Sequence, residues 1–221
     1  GCLRRWRRGA GGRPLPDGIP DYLDTDDQDG PDGDPDGDGL TNSQESTLGT
    51  DNQNSDTDGD GFPDGDEAPG GTAVDTDGDG TIDALDTDSD GDGLSDSVES
   101  SLGTSRTSED SDGDGISDAV ETNNGNSVDT DGDGTIDALD TDSDGDSIPD
   151  STEGTGDADG DGTANYRGTD SDGDTVPDRI EGTDDADTDG TPNFLDTDSD
   201  GDGIDDADEY TNDPGVGNSD K

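Results

Sequence analysis

Asp75, Asp77 and Asp79 alternate with other residues and lead into Gly80, and Asp83 and Asp86 complete a stretch of twelve. Counted from Asp75, the acids occupy positions 1, 3, 5, 9 and 12, and the glycine occupies position 6. That is the pattern a calcium loop requires. Calcium takes about six to eight hard oxygen ligands at roughly 2.3–2.6 Å, and a short loop supplies them from alternate positions, a sharp glycine turn and a late acid that binds through both oxygens. A backbone carbonyl is expected at position 7. Magnesium would demand a stricter octahedron, and zinc would want His or Cys, of which the chain has none and one.

The unit recurs along the chain. Candidate ligands in the first two complete units are Asp34, Asp36, Asp38, Asn42 and Glu45, then Asp56, Asp58, Asp60, Asp64 and Glu67. After the unit from Asp75 come Asp88, Asp90, Asp92, Asp96 and Glu99, then Asp110, Asp112, Asp114, Asp118 and Glu121. Next are Asp129, Asp131, Asp133, Asp137 and Asp140, followed by Asp142, Asp144, Asp146, Asp150 and Glu153. A weak unit offers Asp157, Asp159 and Asp161, with Asn165 at position 9 and Gly168 at position 12. The last three contain Asp170, Asp172, Asp174, Asp178 and Glu181; Asp185, Asp187, Asp189, Asn193 and Asp196; and Asp198, Asp200, Asp202, Asp206 and Glu209. An earlier half-unit carries Asp17, Gly18, Asp21 and Asp24, but Arg13 and Leu15 fall where its first two ligands should be, so it is read as a truncated cap.

Successive units start 22, 19, 13, 22, 19, 13, 15, 13, 15 and 13 residues apart. The spacing describes a 54-residue block used twice, from 34 and from 88, and a 28-residue block used twice, from 142 and from 170. The nineteen residues from Val74 return unchanged from Val128. A fixed period marks an array in which each unit leans on its neighbours, so one continuous rod over residues 16–209 is expected, with a tail at 210–221.

What must position these loops is not a conventional core. Leu, Ile, Val and Phe number 25 of 221 residues, and 66 acids face 9 basic residues for a formal charge of -57. Such a chain lies where disorder is expected, because too little apolar area is available to offset roughly 1–2 kcal/mol of backbone entropy per residue. Paired carboxylates repel by about 1 kcal/mol at 4 Å in water. With divalent cations the same groups become cohesive. The expected fold is therefore a mostly irregular, calcium-nucleated repeat array with short helical turns and no conventional hydrophobic core.

Two kinds of unit are distinguishable. One has an apolar residue at position 7 and Glu at 12, as with Leu94 and Glu99, Ile116 and Glu121, Ile148 and Glu153, or Val176 and Glu181. The other has apolar residues at positions 8 and 11 and Asp at 12, as with Ile82, Leu85 and Asp86, or Ile136, Leu139 and Asp140. A unit of the second kind is followed after one residue by one of the first, which leaves no room for a helix between them. Short helical turns are expected around Ser43–Leu48 and Ser95–Leu102, with Gly49 and Gly103 as C-caps. Spacings of 13 and 15 exclude a paired-helix calcium hand and leave a dockerin no helix. The GGxGxD nonapeptide of a parallel β-roll is absent.

Residues 1–15 differ from the rest, with Arg4, Arg5, Arg7, Arg8, Arg13 and the lone Trp. Three readings stay open: a solvated or vector-derived leader, an interaction arm whose cations dock on the acidic body of a neighbouring copy, and a lipid anchor at Cys2. With no initiating Met and no signal h-region, the chain is expected to be a mature form or a fragment. One cysteine cannot make an internal disulfide. No run of 18 apolar residues is present, so no transmembrane helix is expected, and the charge disfavours nucleic acid.

The run DTDGDGTIDALDTDSDGDGLSDSVE, Asp75 to Glu99, resembles a thrombospondin type 3 repeat, and Gly39 to Glu67 is similar to the version common in bacterial envelope and secreted proteins. The resemblance extends over roughly residues 17–209. It implies a chain with little regular structure wrapped around a row of calcium ions, some shared between loops, with Asp86 and Asp88 placed to serve two loops. The paired cysteines of the animal repeats are missing, so rigidity would rest on calcium alone.

The expected function is that of an extracellular or cell-surface structural protein, a calcium-rigidified rod acting as the subunit of a surface fibre. The alternatives are a calcium-dependent stalk or adhesion linker, and a disordered polyacidic calcium buffer. No enzyme is expected. Acid–base work needs a pocket with divergent pKa values, and there is no His and little core to build one.

Overall fold

Apart from a 3₁₀ turn at Pro69–Gly71, the helical turns among the described residues begin where the calcium-loop pattern places position 9. The computed structural model describes residues 30–212. The basic arm, Cys2, the truncated unit from Asp17 and the end of the tail lie outside the described residues. Seven α-helices follow one another: α1 Asn42–Leu48, α2 Asp64–Glu67, α3 Asp96–Leu102, α4 Asp118–Glu121, α5 Asp150–Glu153, α6 Asp178–Glu181 and α7 Asp206–Asn212. Each starts at position 9 of a unit of the first kind. Units of the second kind carry a 3₁₀ turn at the same place: Asp83–Leu85, Asp137–Leu139, Asn165–Arg167 and Asn193–Leu195. Among the described residues there is no strand.

Local chemistry explains these lengths. Thr41 caps α1 through a capping box with Gln44, and the helix stops at Gly49 with φ 98°. The counterpart α3 stops at Gly103 with φ 90°. Both glycines adopt the left-handed conformation that ends a helix without a Cβ penalty. Where no such extension follows, the helix is one turn long, and Gly154 and Gly182 divert the chain after α5 and α6. A single turn fixes several dihedrals for few bonds, so these turns are held by their surroundings rather than by propensity.

The chain divides into two compact units, with the boundary between Ser89 and Asp90, inside the repeat that starts at Asp88. The period alone predicted no such division. In the first unit Leu40, Ala68 and Ala84 are buried together, with Leu48 and Ile82 packed on them. In the second, the buried apolar residues other than Ala119 fall into two series. Position 7 of the first kind supplies Leu94, Ile116, Ile148 and Val176. Position 10 of the second kind supplies Ala138, Tyr166 and Phe194, as it supplies Ala84 in the first unit.

That second series lies between the apolar residues at positions 8 and 11. Leu139, at position 11, is 38 % exposed, while Ala138 beside it is fully buried. The 3₁₀ turn rotates position 10 inward and leaves positions 8 and 11 at its rim. The interior is otherwise polar, with Glu45, Asp64, Glu99, Asp118, Glu121, Asp150 and Asp178 among the fully buried or nearly buried side chains. This inverts the usual composition of an interior.

Candidate metal centres

The loop from Asp110 to Glu121 shows how the pattern folds. Asp110 accepts the Gly113 N–H at Oδ1 (2.7 Å) and the Gly115 N–H at Oδ2 (2.9 Å). Asp112 accepts the Asp114 N–H at Oδ1 (3.1 Å), and Asp114 accepts the Ile116 N–H at Oδ1 (2.7 Å). Each acid thereby uses an oxygen to brace the turn. The other oxygens of Asp112 and Asp114, and both of Glu121, are buried with no hydrogen-bond donor. Buried polar groups are ordinarily paired, and an unpaired charge is costlier still. Carboxylate oxygens brought together without donors are what a hard cation satisfies.

The same set recurs. It comprises Oδ2 of Asp144 and Asp146 with both oxygens of Glu153, and Oδ2 of Asp172 and Asp174 with both oxygens of Glu181. In the first unit it comprises Asp36, Oδ2 of Asp38 and both oxygens of Glu45. Asp34, Asp36 and Asp38 place an oxygen each within 4.8 Å of one another, as do Asp56, Asp58 and Asp60, and Asp75, Asp77 and Asp79. Asp38 and Glu45 also form such a group with Asp64 of the following loop. Asp92 reaches forward too, accepting the Ala119 N–H from the next first-kind loop at 2.9 Å.

Residues 34–51, 56–72, 88–104 and 110–125 match the family model described as the bacterial TSP3 repeat. Residues 34–125 thus carry four matches to the bacterial TSP3 repeat. These repeats are calcium-binding and typical of extracellular proteins. No curated protein matches the chain. Among the described residues, no helix is long and apolar enough to cross a membrane.

In most of these loops position 9 is held by position 2 of the same loop. Asp64 accepts the Thr57 N–H at Oδ1 (2.7 Å) and the Thr57 hydroxyl at Oδ2 (2.5 Å). Thr76 binds Asp83, Ser111 binds Asp118, Thr130 binds Asp137, Ser143 binds Asp150 and Ser171 binds Asp178 in the same way. Ser199 does so with Asp206. Where position 2 has no hydroxyl, position 9 is Asn. Asn165 and Asn193 accept from the N–H groups of Ala158 and Ala186 and donate to the carbonyls of Glu153 and Glu181. Asn42, opposite Pro35, donates to the Gly30 carbonyl. Positions 1, 3 and 5 thus converge in the loops from Asp34, Asp56 and Asp75, Glu45 at position 12 joins Asp38, and in the loops after the first, position 9 locks the mouth of its own loop to position 2. Sequence reasoning named position 9 without its partner. The covariation of Ser or Thr with Asp, and of Ala or Pro with Asn, carries that signal.

The weaker and terminal loops keep the bracing but vary in what they add to it. Asp157 accepts the Gly162 N–H, Asp159 the Asp161 N–H and Asp161 the Thr163 N–H. With Gly168 at position 12, no carboxylate closes that loop. Asp185, Asp187 and Asp189 are braced likewise by Gly190, Asp189 and Thr191. Asp198, Asp200 and Asp202 are braced by Gly203, Asp202 and Ile204. Asp86, Asp140 and Asp196, which close second-kind loops, accept the N–H of the Asp that opens the next one.

Position 7 sets the electrostatics. In second-kind loops it is Thr, whose N–H and hydroxyl hold Asp79, Asp133, Asp161 and Asp189 below the usual carboxylate range. In first-kind loops the residue at 7 is apolar, and burial followed by crowding of like charges pushes a subset of the acids up. Glu121 and Glu153 rise to about 9, Glu181 to about 10 and Glu99 to about 8. Asp112, Asp144 and Asp172 rise to about 7. Among the charges raising Glu121 is that of Asp150, and for Glu153 that of Asp178, each at position 9 of the next first-kind loop. A divalent cation would reverse both causes at once by screening the repulsion and replacing lost hydration.

Proposed function

We propose that this chain is a calcium-ordered structural array of an extracellular or cell-surface protein, serving as the subunit of a surface fibre. The observation that carries the calcium reading is the set of buried, donor-less oxygens on Asp112, Asp114 and Glu121 and their repetition in the loops from Asp142 and Asp170. Positions 1, 3, 5 and 12 would hold the ion, and the ion would supply the positive charge around which each loop closes. Metal binding is then the folding free energy of a chain with little apolar interior.

The fibre reading is supported by the separation of charge along the sequence. Five arginines lie within residues 1–15 and the acidic repeats follow, an arrangement suited to head-to-tail, open-ended contact. A stalk or linker uses the same loops without that contact. The fixed block spacing favours either structural role over a buffer, which needs no order among its sites. Catalysis has no place in this reading, because Glu121, Glu153 and Glu181 repeat one setting instead of pairing two different ones over a cleft.

The test is small-angle scattering in millimolar calcium and again in excess chelator. Mass growing well beyond 22.3 kDa only with calcium supports the fibre subunit. A calcium-ordered particle of monomer mass that expands on chelation replaces it with the stalk. A curve indifferent to calcium overturns the reading.

A further inference from the structure

Residues 30–212 contain three arginines in a strongly acidic sequence, and all three stand against loop carboxylates. Arg106 approaches Asp96 at 3.5 Å, and the charge of Arg179 bears on Asp146. Arg167 is the most deeply engaged. Its Nε donates to Asp137 Oδ2 at 2.7 Å, its Nη2 donates to the carbonyl of Glu121, and its guanidinium lies 4.7 Å from the ring centroid of the buried Tyr166.

We propose that Arg167 is a built-in cation that ties the loops from Asp110, Asp129 and Asp157 together when calcium is withdrawn. Three observations lead there. First, its targets come from different repeats, 30 and 46 residues away, so the contact is a cross-link and not a local turn. Second, Asp137 is 1 % exposed, and although Thr130 donates to both its oxygens, Arg167 is the cation that meets its buried charge. Third, Arg167 belongs to the loop poorest in acid, where Asn165 and Gly168 replace the carboxylates at positions 9 and 12.

The neighbouring repeats explain why the guanidinium falls here. The carbonyls of Glu153 and Glu181 are served by the side-chain amides of Asn165 and Asn193, each at position 9 of the next second-kind loop. In the loop from Asp129 that residue is Asp137, which has no amide to give. Arg167 reaches in from the following second-kind loop, supplies the donor to Glu121 and neutralises Asp137 with the same fork. Two separated donors in one rigid plane make this a task for arginine rather than lysine.

This proposal rests on the calcium-ordered reading, and hydrogen exchange of the full chain separates the two. In calcium, the amides of Thr122, Asp140 and Gly168 at the junction, and of Ala68 and Gly182 elsewhere, are all hydrogen-bonded in their turns and are expected to be protected. In excess EDTA the junction amides should exchange at least about tenfold more slowly than the other two, the factor carried by hydrogen bonds to charged groups. Arg167→Gln should abolish that difference in EDTA while matching the parent in calcium. Arg167→Met, which keeps a long unbranched side chain and removes both donors and the charge, is the second variant and should do the same. Equal rates at all five amides in EDTA, or a difference that survives both variants, overturns the role of Arg167. Protection unchanged by EDTA at every amide overturns the calcium reading beneath it.

Discussion

Ser143 grips both oxygens of Asp150: its N–H donates to Oδ1 at 2.8 Å and its hydroxyl to Oδ2 at 2.6 Å, with both residues buried. The pair joins positions 2 and 9 of one loop across seven residues and fixes where the following helix α5 begins. Eight repeats have Ser or Thr with Asp at these positions, and three have Pro or Ala with Asn.

Ser143→Ala is expected to cost about 1–3 kcal/mol, because it strips a buried charged oxygen of its donor. Asp150→Asn in that background should recover part of the loss by recreating the pairing of Ala158 with Asn165. Chemical denaturation of Ser143→Ala, Asp150→Asn and the double variant in saturating calcium measures the coupling. Strictly additive losses would show that the two side chains act independently.

Position 6 carries strain in two loops. Ser147 and Thr175 stand there with φ 87°, where the loop from Asp110 has Gly115 at φ 100°. A left-handed β-branched residue costs about 1–2 kcal/mol, while added glycine freedom in the unfolded chain returns roughly 0.5–1 kcal/mol of that gain. Thr175→Gly should therefore raise the denaturation midpoint in calcium slightly, and Ser147→Gly by less. A lower midpoint would mean that the side chains contribute contacts outweighing the strain.

Gly65 opposes the carbonyl of Asp38 so closely that an added Cβ would lie 2.1 Å from its oxygen. Backbone must move to admit any side chain. Gly65→Ala should destabilise the first unit by about 1–3 kcal/mol, the range seen for overpacking. Hydrogen exchange at Ala68 and Gly49 should register the loss.

Much of the site was legible because ligand chemistry tolerates few residue types. Asp34, Asp56, Asp75, Asp88 and Asp110 announce themselves through the alternation that follows each of them, and Gly49 and Gly103 marked the ends of α1 and α3 correctly. Burial was harder to see. Ala84 and Ala138 are small residues flanked by the larger Ile82, Leu85, Ile136 and Leu139, so nothing in their type marks them as buried. Only alignment of the second-kind repeats, which sets Tyr166 and Phe194 in the same column, reveals position 10 as the inward one. The division at Ser89 and Asp90 leaves no trace in the spacing, since a repeat runs unbroken across it.

The raised acids also set a pH dependence. Folding in chelator holds Glu121, Glu153 and Glu181 at about 9, 9 and 10, against an ordinary Glu value near 4.5. A carboxyl whose folded value is raised favours the folded state fully below its unfolded value, and that contribution fades as pH climbs toward the folded one. The metal-free chain should therefore be most compact near pH 4 and expand steadily up to about pH 9–10. Calcium should show the reverse trend, binding more tightly as pH rises, because it displaces protons from the same oxygens. Circular dichroism and scattering from pH 4 to 10, with and without calcium, check both slopes, and a metal-free chain that grows more compact with rising pH would contradict the burial of these groups.

The fully buried Glu121, set among like charges where most proteins place leucine, has a wider consequence. Its free energy is decided outside the polypeptide, by the ions the solution offers. On the calcium-ordered reading proposed above, one sequence is two materials, a swollen polyelectrolyte in one medium and a shaped solid in another, and the instruction to change from one to the other is written in the solvent rather than in any side chain.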